Sequence, residues 1–551
     1  MKRRTLIKGM AATLPSLWLS RALGNSFFEE LYSGEPIAKG PFKPTWESLQ
    51  DYKTPEWFRD AKFGMWAHWG AQCQPEHGDW YARFIYDEGH DHYKYHIEKY
   101  GHPSKVGFKD VIHQWKAERW NPHQLVELYK NAGAQYFVAM ANHHDNFDNY
   151  NSRYQPWNSV NMGPRKDLID GWAKAAKQQG LRFGVSVHSA HAWTFYETAQ
   201  RSDKKGSMAG IPYDGKLTKA NGKGTWWEGF DPQDLYAQNH PLSAGSEKTG
   251  NIHKQWHWGE GVCIPDKKYC ENFYNRTVDL INKYHPDLVY FDDTALPLWP
   301  ISDAGLRIAA HMYNDSIKRH GKLEAVINGK ILDDQQRKCM VWDIEKGASN
   351  TIEPLPWQTC TCIGGWHYDR RIYDRKEYKS AREVINQLVD VVSKNGNLLL
   401  NIPVRADGTI DEQELVVVDE IGRWMQVNGE AIFATRPWKI FGEGPSVANA
   451  KPLTGQGFNE GAAKGFTAED IRFTAKGDVL YATFFGWPEN KKVVIKSLVK
   501  NSEHFPKEIQ KVEWLPTKQS LTFERNEKGL IVSLPEKTAD GLTYANVIRI
   551  V

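Results

Sequence analysis

Cysteine is scarce: six residues in a chain of 551, at positions 73, 263, 270, 339, 360 and 362, with no C-x-x-C pair. That excludes a structural zinc site of the paired-cysteine kind. Six thiols in so long a chain are no disulfide framework either, and they read as free buried thiols. Charge of one sign is also lacking. Lys+Arg number 70 against 67 for Asp+Glu, a net of +3, which excludes a dedicated nucleic-acid binder. The apolar run near the N-terminus, Met10 to Leu19, is too short to span a bilayer. No G-x-G-x-x-G follows a strand-like run, and neither H-E-x-x-H nor G-x-S-x-G occurs. A nucleotide fold, a zincin helix and a serine-hydrolase elbow are therefore unsupported. Aromatic residues are abundant: 23 Trp, 24 Tyr and 23 Phe. Such rings fill cores, and they also stack on the flat faces of ligands.

Residues 1–25 carry adjacent Arg3 and Arg4, a short apolar run and a small-residue exit at Ala22 to Gly24. This is a twin-arginine-like signal, which implies a bacterial protein exported to the periplasm or beyond. Residues 26–55 form a lead-in. From 56 to 438, strand-like runs at 63–67, 135–141, 182–187, 287–292, 324–328, 340–344 and 397–402 alternate with helical stretches. The helices are expected at 122–132, 166–179, 269–284, 303–319, 379–394 and 411–428. This α/β alternation predicts a parallel (β/α)₈-like, TIM-type barrel, with one strand still to be found. A long loop over 195–262 has weak periodicity and four tryptophans, Trp226, Trp227, Trp256 and Trp258. Residues 439–551 hold short alternating runs and turn residues, the pattern of an antiparallel β-sandwich.

Polar residues collect where the strand-like runs end. His68 follows the first run. Asn142, His143, His144 and Asp145 follow the second, and His188 and His191 the third. Asp292 and Asp293 close the fourth, Lys330 follows the fifth and Glu345 the sixth. In a parallel barrel these ends share one face, where barrel enzymes keep their sites. Two chemistries fit. One is a metal-dependent barrel hydrolase using His68, His143, His188 and Asp292, although no H-x-H pair lies on a strand. The other is a pair of carboxylates, Asp292 and Glu345, working as glycosidases do. Neutral imidazoles suit hydroxyl recognition, since each can donate and accept. A sugar-binding protein without turnover is a third reading, against which retention of both carboxylates counts.

Several segments resemble glycoside hydrolase family 29, the retaining α-L-fucosidases: FGMWAHWG (63–70), GDWYAR (78–83), NHHDNF (142–147), WNSVNMGPRKDLI (157–169), YFDD (290–293), NGNLLLNI (395–402) and IGRWMQVNGEAIF (421–433). The resemblance implies a barrel, often distorted, plus a β-sandwich. It makes Asp292 the nucleophile and Glu345 the acid/base, with Glu353 as rival. It places His68, His143, His144, Asp79, Trp80 and Tyr290 around the sugar. It implies no cofactor and no metal, and a fucosylated oligosaccharide or polysaccharide as substrate. Departures from the family pattern stand at Asp79, where Glu is usual, and at His188 or His191, where a Tyr is usual. Others are Lys330, where Arg is usual, and Asp293 beside the nucleophile. These bear on the exact sugar, so an α-L-galactosidase is the alternative. Trp80, Tyr290 and the four tryptophans of 195–262 are expected around the site.

Overall fold

Phe63–Ala67 is a run of five buried residues, and strand after strand repeats that texture. Strands buried on both faces belong in a parallel sheet covered by helices. The computed structural model describes residues 34–237, 240–246, 258–449, 456–460, 465–536 and 544–551. The signal-like segment and Trp256 lie outside the described residues. Eight parallel strands close a barrel: β1 Phe63–Ala67, β2 Tyr136–Asn142, β3 Arg182–Val187, β4 Leu288–Thr294, β5 Val326–Lys330, β6 Val341–Glu345, β7 Trp357–Cys362 and β8 Gly396–Asn401. β1 pairs with both β2 and β8, which shuts the sheet. The strand absent from the sequence reading is β7, whose sequence is WQTCTC.

Six α-helices wrap the barrel: α1 Pro122–Asn131, α2 Leu168–Gln178, α3 Lys267–Tyr284, α4 Ala304–His320, α5 Ala381–Ser393 and α6 Glu412–Asn428. Their starts follow local rules. Asn121, Asp167 and Asp266 cap α1, α2 and α3 with side-chain oxygens. Ser380 with Glu383, and Asp411 with Glu414, form capping boxes at α5 and α6. The β5–β6 and β6–β7 connections contain no α-helix, so the ring of helices is incomplete. The short helix Glu56–Ala61 closes the N-terminal end of the barrel. Its Phe58 is fully buried against Tyr136, and the Phe58 carbonyl accepts from Asn397 Nδ2 at 2.7 Å.

Beyond the barrel, β9 Arg436–Glu443 starts a six-stranded antiparallel sheet with β10 Ile471–Lys476, β11 Val479–Phe485, β13 Val512–Trp514, β14 Gln519–Ser520 and β17 Ala545–Ile550. β12 Lys492–Ile495, β15 Phe523–Asn526 and β16 Gly529–Ser533 make a second sheet. Phe473, Leu480 and Phe484 of the first pack with Val493, Ile495 and Val532 of the second in one core, as in a sandwich. β9 runs across the division that the sequence suggests at 438/439.

The described parts of the loop over 195–262 are built of short turns and one-turn helices. Its tryptophans correct an expectation, because two of them pack away from the strand-end carboxylates. Trp226 donates to Asp110 at 2.8 Å and stacks on His113, and Trp227 is buried beneath Lys109. All three partners lie on the helix Phe108–Gln114. Trp258 does lie near the site, stacked on His191. All six cysteines are free, five of them buried.

Candidate active site

Two carboxylates meet at one ammonium. Asp292 is on the last turn of β4, where the β4–β5 ladder slips between Tyr290 and Thr294. Such a bulge at a barrel rim re-aims a side chain. Lys330 closes β5 and Glu345 closes β6. Lys330 Nζ donates to Asp292 Oδ1 and to Glu345 Oε2. Two ordinary hydrogen bonds in series span at most roughly 6.4 Å. Burial disfavours the ammonium, but Asp292 and Glu345 outweigh it and hold the Lys330 pKa well above its usual value.

Asp292 is the more crowded acid. Its Oδ2 lies 3.1 Å from His188 Nδ1 and 3.1 Å from His144 Nε2. Burial alone would raise its pKa. The Lys330 charge and the two imidazoles reverse that, and the carboxyl is held well below the usual range. Asp293 turns the other way, as alternation along a strand requires. It is buried and accepts from His191 Nε2 at 3.1 Å and from the Thr294 N–H at 2.8 Å. Of the two histidines that depart from the family pattern, His188 therefore touches Asp292 and His191 touches Asp293.

Four imidazoles form the floor. The rings of His68, His143, His188 and His367 stand 4.7 to 5.0 Å apart, centre to centre, for five of their pairs. Burial lowers the pKa of His68 and His143 far below its usual value and that of His188 to about 4. These three rings are neutral at pH 7. Gln72 Nε2 donates to His143 Nδ1 at 2.7 Å. His144 Nδ1 donates to the His188 carbonyl at 2.8 Å. His68 Nδ1, His188 Nε2 and His367 Nε2 are buried without a protein hydrogen-bond partner. The backbone is fixed as well. Asn401 at the end of β8 accepts from the His68 N–H, and Asn142 at the end of β2 accepts from the His188 N–H.

Trp366 and His367 were not singled out from sequence. They follow β7, and Asp79 holds them there. Asp79 accepts from the N–H groups of both residues and from His367 Nδ1. Trp366 in turn donates to Glu345 Oε1 at 3.1 Å. Trp80 is half-buried beside His144 and Phe195. Tyr290 is fully buried. Its hydroxyl points down the barrel to Asp343 and Cys360, and its ring lies under Lys330.

A strap from the inter-domain segment completes the rim. Phe458 N–H donates to the Glu345 carbonyl at 2.7 Å, and Glu460 N–H to the Lys346 carbonyl at 2.8 Å. Gln456 brackets the backbone of Leu332, just past β5. The strap thus takes the edge of β6 that β5 leaves open, with Phe458 72% exposed beside Glu345.

Residues 31–430 match the family described as alpha-L-fucosidase, and residues 464–551 match the alpha-L-fucosidase C-terminal domain. The chain belongs to the alpha-L-fucosidase family. It is thereby a member of a glycosidase family. It is 27% identical to human tissue alpha-L-fucosidase over 509 residues, covering 90% of this chain and 88% of that protein. The mouse tissue enzyme is 27% identical over 515 residues, covering 91% and 92%. The structure of Thermotoga maritima alpha-fucosidase in complex with fucose superposes with a TM-score of 0.66 at 24% identity. That superposition covers 93% of this chain and all of that one. It carries the fold, a barrel followed by antiparallel sheets.

Within this family member, Glu353 stands elsewhere. Its N–H donates to the Lys394 carbonyl and its carbonyl accepts from Asn395 Nδ2, just ahead of β8, and it precedes β7. That is the N-terminal end of the barrel. Its carboxylate is taken by Ser349 and Arg337. For metals, the described residues offer three groups whose ligating atoms lie within 4.8 Å: His68–His143–His188, His144–His188–Asp292 and His77–Asp91–His92. In the second, Lys330 already supplies Asp292 with a cation.

Proposed function

We propose that the protein is an exported, exo-acting, retaining α-L-fucosidase. The observation that carries this reading is the shared ammonium. Asp292 and Glu345 each lie one hydrogen bond from Lys330 Nζ. Retaining enzymes keep their two carboxyl groups about 5–5.5 Å apart, whereas inverting ones leave room for a water between. Asp292, kept ionised, attacks the anomeric carbon and forms a glycosyl-enzyme. Glu345 gives its proton to the leaving oxygen, then takes one from the incoming water. The water oxygen bonds to the anomeric carbon as the bond to Asp292 breaks, leaving Asp292 ionised and Glu345 protonated, as they began.

The neutral imidazoles support recognition of sugar hydroxyls. His68 Nδ1, His188 Nε2 and His367 Nε2 have no protein partner to compete for them. Trp66, beneath the site, touches His68, Tyr290 and Trp366. With Trp366 it supplies apolar surface that suits a methyl group. Export rests on the signal-like residues 1–25. No helix among the described residues is long and apolar enough to cross a membrane.

The test is kinetic, on aryl α-L-fucosides. Asp292→Ala should lose most turnover and recover part of it with azide, giving the inverted glycosyl azide. Glu345→Gln should lose more on poor leaving groups than on good ones. Full turnover in Asp292→Ala would overturn the assignment. Aryl α-L-galactosides run alongside decide between the sugars, and the galactoside reading leans on His188. Turnover abolished by a chelator would favour the metal-dependent hydrolase.

A further inference from the structure

We propose that His77, Asp91 and His92 form a site for a divalent transition-metal ion of the zinc class, which clamps the loops around the sugar site. Their ligating atoms lie within 4.8 Å of one another. His77 Nε2 stands 3.1 Å from Asp91 Oδ2. In a tetrahedral zinc site, ligand bonds of about 2.0–2.1 Å put neighbouring donors roughly 3.3 Å apart. His77 and Asp91 already stand at that spacing, and His92 lies within 4.8 Å of both.

His92 supplies the independent sign. It is 7% exposed, and neither of its ring nitrogens has a hydrogen-bond partner. A buried imidazole left unpaired is costly, and its environment offers a reason to keep it. The His77 ring is 5.1 Å away and nearly perpendicular, and His90 is 5.0 Å away on the other side. Burial lowers the pKa of both His77 and His92, so both are neutral and able to ligate at pH 7. Two imidazoles and one carboxylate suit zinc, cobalt or nickel, not the all-oxygen preference of calcium or magnesium. Arg371 also donates to Asp91 Oδ2, but that pair is exposed, unlike Lys330–Asp292, and an exposed pair yields to a metal ion at little cost.

The position gives the site its consequence. His77 precedes Asp79 and Trp80, and its backbone bridges to Asp369 beyond Trp366 and His367. Asp91 and His92 begin the helix Asp91–Lys99. A bound ion would tie that helix to both loops that carry sugar-site residues. It touches none of the reacting atoms, so it acts as a structural clamp and turnover does not run through it.

The test uses the full chain, stripped with a chelator and titrated with zinc by calorimetry, with and without saturating L-fucose. One zinc per chain is expected, with a dissociation constant on the order of 1 µM or tighter. Zinc should raise the melting temperature by about 3 °C or more. Cobalt should give the visible bands of a four- or five-coordinate ion. His92→Phe and His77→Phe should each weaken zinc at least tenfold. Asp91→Asn should do the same, and its side chain is 64% exposed, so folding is not at stake. Failure to bind zinc overturns the proposal. So does binding that survives all three substitutions or that L-fucose abolishes, since either result puts the ion elsewhere.

Discussion

Asp79 Oδ1 accepts twice from His367, from its backbone N–H at 2.6 Å and from its Nδ1 at 3.2 Å. The two residues are far apart in sequence, and the contact joins the loop after β1 to the loop after β7. It also leaves Nε2 as the His367 ring nitrogen without a protein partner. Burial would raise the Asp79 pKa, but the His367 contacts and the Trp366 N–H bring it below its usual value. Asp79 is thus a positioning residue whose effect passes through His367 and Trp366.

Asp79→Ala should therefore damage binding more than chemistry. Losing hydrogen bonds to a charged acceptor costs about 1.5–3 kcal/mol, or roughly 10- to 100-fold in KM on an aryl α-L-fucoside. The fall in kcat should be smaller, reflecting the Trp366 donor to Glu345. A fall in kcat at constant KM would refute the positioning role.

Lys330 makes a separate prediction through pH. Its charge is the main term holding Asp292 ionised against burial. In Lys330→Met two partly buried carboxylates face each other without a cation, and one pKa must rise. Because the proposed mechanism needs Asp292 ionised, the acid limb of kcat/KM should move to higher pH by about one unit or more. Lys330→Arg keeps the charge and should leave the limb near its original place. An unmoved limb in Lys330→Met counts against the pairing.

Glu353 gives the contrasting case. Its partly buried pair with Arg337 spans 3.4 Å at the far end of the barrel. Glu353→Gln should cost about 1 kcal/mol of stability or less. Its kcat should match that of the parent on good and poor leaving groups alike. A leaving-group-dependent loss would make Glu353 the proton donor after all.

The barrel was legible because seven strands are apolar and their helices carry ordinary caps. β7 was not, for a reason its contacts explain. Gln358 bonds Asp343 and Tyr136, Thr359 bonds two backbone carbonyls, and Thr361 bonds Glu460 and Lys379. All six residues of the strand are buried. Polar groups satisfied internally leave no hydrophobic signature. Without a recognisable β7, no strand end marks Trp366 and His367 in the sequence. The tryptophans of 195–262 show the converse error. Ring content marked the loop, but only tertiary contacts could say that Trp226 and Trp227 belong to the helix at 108–114.

The buried histidines predict how stability follows pH. His92, His96 and His188 have their pKa lowered to about 4 by burial, and His68 and His143 lie well below their usual value. In the unfolded chain these groups titrate near 6.5. Between about pH 4 and 6.5 the unfolded state therefore binds more protons, and stability rises with pH. Asp145 and Asp343, raised to about 6 by burial, and Glu414, also raised, work in the opposite direction. His77, His90, His113, His285 and His311 are also lowered, and Asp214 and Asp234 also raised, so lowered imidazoles outnumber raised carboxyls and unfolding near pH 5.3 takes up protons on balance. Calorimetry at several pH values should show the melting temperature climbing from pH 4.5 to 6.5. Unfolding at pH 5.3 should take protons up from the buffer. Release of protons there would mean that the histidine floor is charged in the folded protein, and the neutral hydroxyl-binding role assigned to it would fall.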